Sequence, residues 1–127
     1  MSDDWFEKGL AVRKEVVGHA YVEESIKNAD DFTRPLQDYV TKACWGAIWT
    51  RDELPRKTRS LLNVAMLTAL NRPHELKLHV RGALRNGCTV VEIREVLLQA
   101  AVYAGVPAAV DAFRVAKDVI AEGTPPA

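Results

Sequence analysis

Cysteine is scarce in this 127-residue chain, and the two present, Cys44 and Cys88, are too far apart to form a CxxC. That spacing argues against a disulfide framework and leads one to expect a reduced, cytoplasmic setting. Charge of one sign is missing too: 17 Lys and Arg balance 17 Asp and Glu, for a formal net charge of zero. A nucleic-acid binder would show a basic excess. No apolar run approaches the ~18 residues of a membrane-spanning helix, and the acidic opening MSDDWFEKG does not read as a secretory leader. Alternating apolar and polar stretches are absent, as are low complexity and repeats. What the chain does hold is apolar bulk, 48% hydrophobic beside 27% charged residues. That excludes a disordered chain and suits one domain able to bury roughly two thirds of its unfolded surface. Neither a disulfide nor a metal is needed to hold such a core.

Between its prolines and glycines the period is helical throughout. A first helix over 3–17 opens on Ser2, Asp3 and Asp4, which suit an N-cap and the positive end of the helix dipole. Its apolar rows are Phe6–Leu10–Val17 and Trp5–Val12–Val16. A short helix over 20–28 ends in the turn Asn28–Ala29–Asp30–Asp31. The next runs about 33–48 with Leu36, Tyr39, Val40, Ala43 and Ala47 on one face. After the polar loop Arg51–Pro55, segment 56–70 is apolar over most of its circumference, the mark of a helix buried on several sides. Helix 73–85 starts at Pro73 and stops at Asn86–Gly87. Thr89-x-x-Glu92 is a capping box for a helix over 90–104. Gly105 and Pro107 separate it from a last helix over 107–121, and 122–127 reads as a frayed tail. The expectation is a single-domain, all-α helical bundle over 1–127.

A few residues fit poorly in a bland bundle. On helix 73–85, Leu76, Val80 and Ala83 form the inner stripe, with His79 on its shoulder and Glu75 one turn earlier. A carboxylate there can hold an imidazole's tautomer and raise its pKa, as acid–base chemistry requires; the plainer alternative is a surface i,i+4 pair. A metal site is not expected, since there is no HExxH spacing and no third ligand. Arg59 and Asn63 lie one turn apart on a face shared with Met66 and Leu70. A guanidinium buried there needs a carboxylate, from the protein or from a ligand. Arg13 interrupts the row of Phe6, Leu10 and Val17 and either grips an anion or snorkels to solvent. Trp45 and Trp49 lie opposite the Leu36–Ala47 face, as a subunit contact or a pocket wall. Tyr103 continues the row of Val96 and Ala100, where a buried hydroxyl needs a partner. Cys44 and Cys88 read as small core or boundary residues.

Several longer blocks carry a resemblance: GLAVRKEV at 9–16, NADDFTRPLQDYV at 28–40, CWGAIW at 44–49, and the run from Arg56 that includes HVRGA. With these, nearly the whole chain resembles the carboxymuconolactone decarboxylase family, within the alkylhydroperoxidase-like superfamily. The resemblance implies an all-helical fold, a homohexamer, and decarboxylation of γ-carboxymuconolactone to the β-ketoadipate enol-lactone in protocatechuate catabolism, with no metal or organic cofactor. Thiol peroxidases of the superfamily carry CxxC with a histidine four residues on. Aligned on His79, those cysteine positions are Arg72 and Glu75, so the disulfide cycle lacks both thiols. A peroxidase on Cys44 or Cys88, or a noncatalytic helical oligomer binding small molecules, are the alternatives from other classes.

The implied substrate is a lactone bearing a carboxylate on a ring carbon and an acetate side chain. As carbon dioxide leaves, the electron pair passes through the ring alkene into the lactone carbonyl, so the substrate is its own electron sink. The protein must grip the acetate, donate to the developing oxyanion and deliver a proton to carbon. By this resemblance His79 is the expected acid or oxyanion donor, oriented by Glu75. Arg59 and Arg13 are the expected carboxylate grips, and Trp45, Trp49 and Tyr103 walls or donors. Arg81 points away from His79 on its own helix, so it either reaches a neighbouring subunit's pocket or forms a salt bridge.

Overall fold

Seven α-helices and one π-helical segment order the computed structural model, which describes residues 4–127. They are α1 (Asp4–Val17), α2 (His19–Lys27), α3 (Arg34–Val40), the π segment (Thr41–Gly46), α4 (Arg56–Ala69), α5 (Pro73–Arg85), α6 (Val90–Ala104) and α7 (Val106–Glu122). No strand occurs among the described residues, so the chain is all-α as its periodicity requires. The expected caps Ser2 and Asp3 lie outside the described residues. No helix among the described residues is long and apolar enough to cross a membrane. Length leads one to expect a single domain; packing gathers the described helices into two compact units, one up to Leu54 and one over Pro55–Pro126.

In the first unit α1 packs on the π segment, with α2 and α3 alongside. Gly9 and Gly46 make that packing possible. A Cβ at Gly9 would run into the backbone of Thr41 and Gly46, and one at Gly46 into the backbone of Trp5. The π segment is closed by five-residue hydrogen bonds, Ala47 N to Lys42 O at 2.8 Å and Trp49 N to Cys44 O at 3.0 Å. One extra residue per turn rotates whatever follows away from the α-helical phase. Of the two opposed faces of this stretch, the one expected to be buried turns outward: Leu36 and Tyr39 are 60% and 59% exposed, while Trp45 and Trp49 are buried. Upstream, Asp30 caps its own turn, its Oδ1 accepting from the backbone N–H of Phe32 at 3.0 Å and of Thr33 at 2.9 Å. Those hydrogen bonds hold the Asp30 carboxyl below its ordinary range.

The second unit follows the 3.6-residue period closely. Leu76, Val80 and Ala83 of α5 meet Ile93 and Leu97 of α6, and Ala112, Ala116 and Val119 of α7, in one aliphatic core. The capping box forms as expected, with Thr89 Oγ1 accepting from Glu92 N at 3.0 Å and Glu92 Oε1 from Thr89 N at 2.8 Å. Helix α4 departs from expectation. Its inner row is Ser60, Val64 and Thr68, while Leu62, Met66 and Leu70 are exposed. Small hydroxylated residues can sit innermost because each finds a partner. Asn86 Nδ2 donates to Ser60 Oγ at 2.9 Å, and Thr68 Oγ1 donates to Val64 O at 2.7 Å. The segment expected to fray is held at two points: Arg81 pairs with Glu122, the last residue of α7, and Arg85 Nε donates to Pro126 O at 3.0 Å beyond it.

Candidate functional site

The second unit brings His79 and Asn63 together. Pro73 at the start of α5 and the Asn86–Gly87 stop, with Gly87 at a φ of 88°, set the helix that carries His79. Its shoulder position beside Leu76 and Val80 leaves the imidazole 8% exposed. On α4, Asn63 follows Arg59 by one turn, and its Nδ2 lies 3.4 Å from His79 Nδ1. An amide nitrogen only donates, so Nδ1 accepts and the neutral ring carries its proton on Nε2. Burial pushes the imidazole down to about 4, because desolvation penalises the cation. At neutral pH the group is therefore a hydrogen-bond donor without charge.

That outcome corrects the expected arrangement of His79 with Glu75. Glu75 is exposed in the first turn of α5, the ring's Nδ1 is met by Asn63, and the pKa falls where a carboxylate partner would have raised it. Sequence reasoning had paired Asn63 with Arg59 but not with His79. The available signal was a mid-helix asparagine on a largely apolar segment; its partner lies 16 residues away on another helix. Arg59 is half-buried.

The other candidates divide by unit. Arg81 forms a forked salt bridge with Glu122, its Nε 3.3 Å from Oε2 and its Nη2 3.2 Å from Oε2 and 3.3 Å from Oε1. Tyr103 is not a core residue as its row suggested. It is 85% exposed at the edge of a groove of about 460 Å³ between α4 and α6, lined also by Leu62, Met66 and Gln99. Cys88 is buried, donates to Lys57 O at 3.4 Å, and has its thiol pushed up to about 11 by burial and by Glu92. Such a thiol is not a ready nucleophile. In the first unit Arg13 does not snorkel. It is 6% exposed and donates through Nη1 to Thr41 Oγ1 at 3.2 Å, while Thr41 Oγ1 donates to Gln37 O at 2.7 Å. Trp45 and Trp49 stack with ring centroids 4.9 Å apart and planes 26° from parallel. They are buried, and the subunit contact expected of that face finds no exposed tryptophan there. Cys44 is exposed. No group of three or more His, Cys, Asp or Glu able to hold a metal ion is gathered among the described residues.

Comparison with known proteins extends these observations. The sequence profile of the carboxymuconolactone decarboxylase family matches residues 34–118, which include His79, Asn63 and Arg59. A nitrosuccinic acid decarboxylase of the fungus Metarhizium robertsii is 46% identical over 115 residues, 91% of this chain and 80% of the relative. A 4-carboxymuconolactone decarboxylase of Acinetobacter baylyi is 41% identical over 114 residues, 90% of this chain and 85% of the relative.

Proposed function

The chain belongs to the carboxymuconolactone decarboxylase family and is a carboxy-lyase, and from that premise we propose that it converts γ-carboxymuconolactone to the β-ketoadipate enol-lactone without metal or organic cofactor. The observation that carries the mechanism is the buried, neutral imidazole of His79. Of the two roles open to it, acid or oxyanion donor, the lowered pKa favours the second. Its Nε2–H meets the lactone oxygen on which charge gathers as the carbon–carbon bond to the departing carboxylate breaks. A fixed donor in a dry setting stabilises such an oxyanion far more than it would in water. The proton that finally reaches carbon is drawn from solvent. Arg59, one turn before Asn63 on the same helix, is the proposed grip on the second carboxylate, with Tyr103 as a further substrate contact.

The higher identity to a nitrosuccinic acid decarboxylase favours a second reading. Nitrosuccinic acid is also a dicarboxylic acid, and its nitro group can take the electron pair as a nitronate. In both reactions the substrate supplies the electron sink and the protein supplies an anion grip and an oxyanion donor. Carbon dioxide release from each compound, measured side by side before and after EDTA, decides between them. Release from the lactone alone, undiminished by chelation, supports the first reading. Release from nitrosuccinate alone replaces it with the second. A loss restored by a divalent ion would overturn the cofactor-free mechanism. His79→Ala should lower turnover about 10²–10³-fold, the cost of one oxyanion donor.

The same proposal includes a cytoplasmic homohexamer. The two free thiols accord with a reducing compartment. Leu62, Met66, Leu70, Val102, Tyr103 and Val106 of the second unit are all exposed, more apolar surface than a small monomer ordinarily leaves in water. Light scattering at micromolar concentration tests this, and a stable folded monomer would contradict it.

A further inference from the structure

We infer that Asn63 is a positioning residue for His79: its side-chain amide holds the imidazole in the tautomer protonated on Nε2, so that the ring serves the reaction as a neutral donor and not as an acid. The consequence for turnover rests on the decarboxylase reading above; the geometry does not. Asn63 Nδ2 stands 3.4 Å from His79 Nδ1 across two packed helices, with Asn63 half-buried and the imidazole buried. An amide nitrogen has no lone pair to offer, so a protonated Nδ1 would face a donor with a donor. The ring's lowered pKa, which its burial causes, agrees with a neutral imidazole. A neutral imidazole is well suited to an oxyanion that must form without being protonated in the same step. As the carbon–carbon bond breaks, its electron pair moves to the substrate's carbonyl or nitro oxygen, carbon dioxide departs, and the Nε2 proton stays on nitrogen while it bonds to that oxygen.

Substitution of the amide by a carboxylate is the sharp test, because Asn63→Asp keeps the shape and inverts the hydrogen bond. An acceptor beside Nδ1 draws the proton there and, in the neutral ring, removes the donor from Nε2. Asn63→Leu only deletes the hydrogen bond and leaves the ring to its own preference in water, which is for the Nε2-protonated form. Histidine-labelled ¹⁵N spectra of the intact wild-type protein should show His79 with Nε2 protonated and Nδ1 bare at pH 7, and Asn63→Asp should move a proton to Nδ1. On whichever of the two substrates the wild type turns over, kcat should fall about 10²-fold in Asn63→Asp, the scale of a lost oxyanion donor. It should fall less in Asn63→Leu, with KM nearly constant in both. A purely structural role predicts the opposite order, since aspartate is the closer fit. A wild-type His79 protonated on Nδ1 overturns the inference, as does wild-type kcat in a folded Asn63→Asp, or a kcat loss that merely follows loss of thermal stability. If neither substrate is decarboxylated, the functional reading fails, and the nitrogen spectra still decide the role of Asn63. If Asn63→Asp does not fold, the wild-type spectrum and Asn63→Leu decide it.

Discussion

The two units of this chain are built on different principles. The second is an aliphatic core in which Leu76, Val80, Ile93, Leu97 and Val119 interlock at helical spacing. The first is held by close backbone approach at Gly9 and Gly46, a stacked tryptophan pair, and a buried arginine on a threonine hydroxyl. An aliphatic core tolerates change according to the volume removed. A backbone contact tolerates no added atom at all. The contrast teaches that hydrophobic pattern is a good guide where side chains fill the space and a poor one where their absence does.

The largest effect should come from emptying the aliphatic core. Leu97→Ala is expected to destabilise by about 2–5 kcal/mol, the range for a buried leucine truncated among neighbours that cannot close the gap. Chemical denaturation would report it. Gly46→Ala adds one methyl group to the first unit and should cost about 3 kcal/mol, because it meets the Trp5 backbone and not a flexible side chain. Loss of the near-ultraviolet circular dichroism of the stacked tryptophans should accompany it. An alanine tolerated there without change would erase the contrast between the units.

The next effect concerns pH. Burial lowers the folded-state pKa of His79 to about 4, from the 6.5 of an ordinary imidazole. Between those values the unfolded chain binds a proton that the folded chain does not, so stability rises with pH across this window. It is complete above about pH 6.5 and falls as the pH drops toward 4, by up to about 3 kcal/mol at 1.36 kcal/mol per unit. His79→Leu should flatten that slope, and a slope that persists in the variant would assign it elsewhere. The smallest effect completes the comparison. Leu36 is a leucine like Leu97 but is exposed, and Leu36→Ser should change monomer stability by less than about 0.5 kcal/mol. If it instead disrupts assembly, that stripe of the first unit is a contact surface.

Local sequence was sufficient for the all-α class, for most helix boundaries, and for the Thr89–Glu92 capping box, because caps and turns depend on residues within one turn of each other. It was also sufficient for the inner stripe of α5 and for the placement of His79 beside it, since an unbroken helix keeps its phase. Where a stretch carries two opposed apolar faces, the pattern does not say which packs inward: Leu36 and Tyr39 came out exposed and the tryptophans buried. Tertiary structure alone decided which helices meet. That is why Asn63, and not Glu75, stands at His79 Nδ1, and why Ser60 and Thr68 occupy the inner row of α4 while Met66 does not. A residue's chemistry is written in the chain. Its hydrogen-bond partner and its share of solvent, which set its charge state, exist only once the helices have packed.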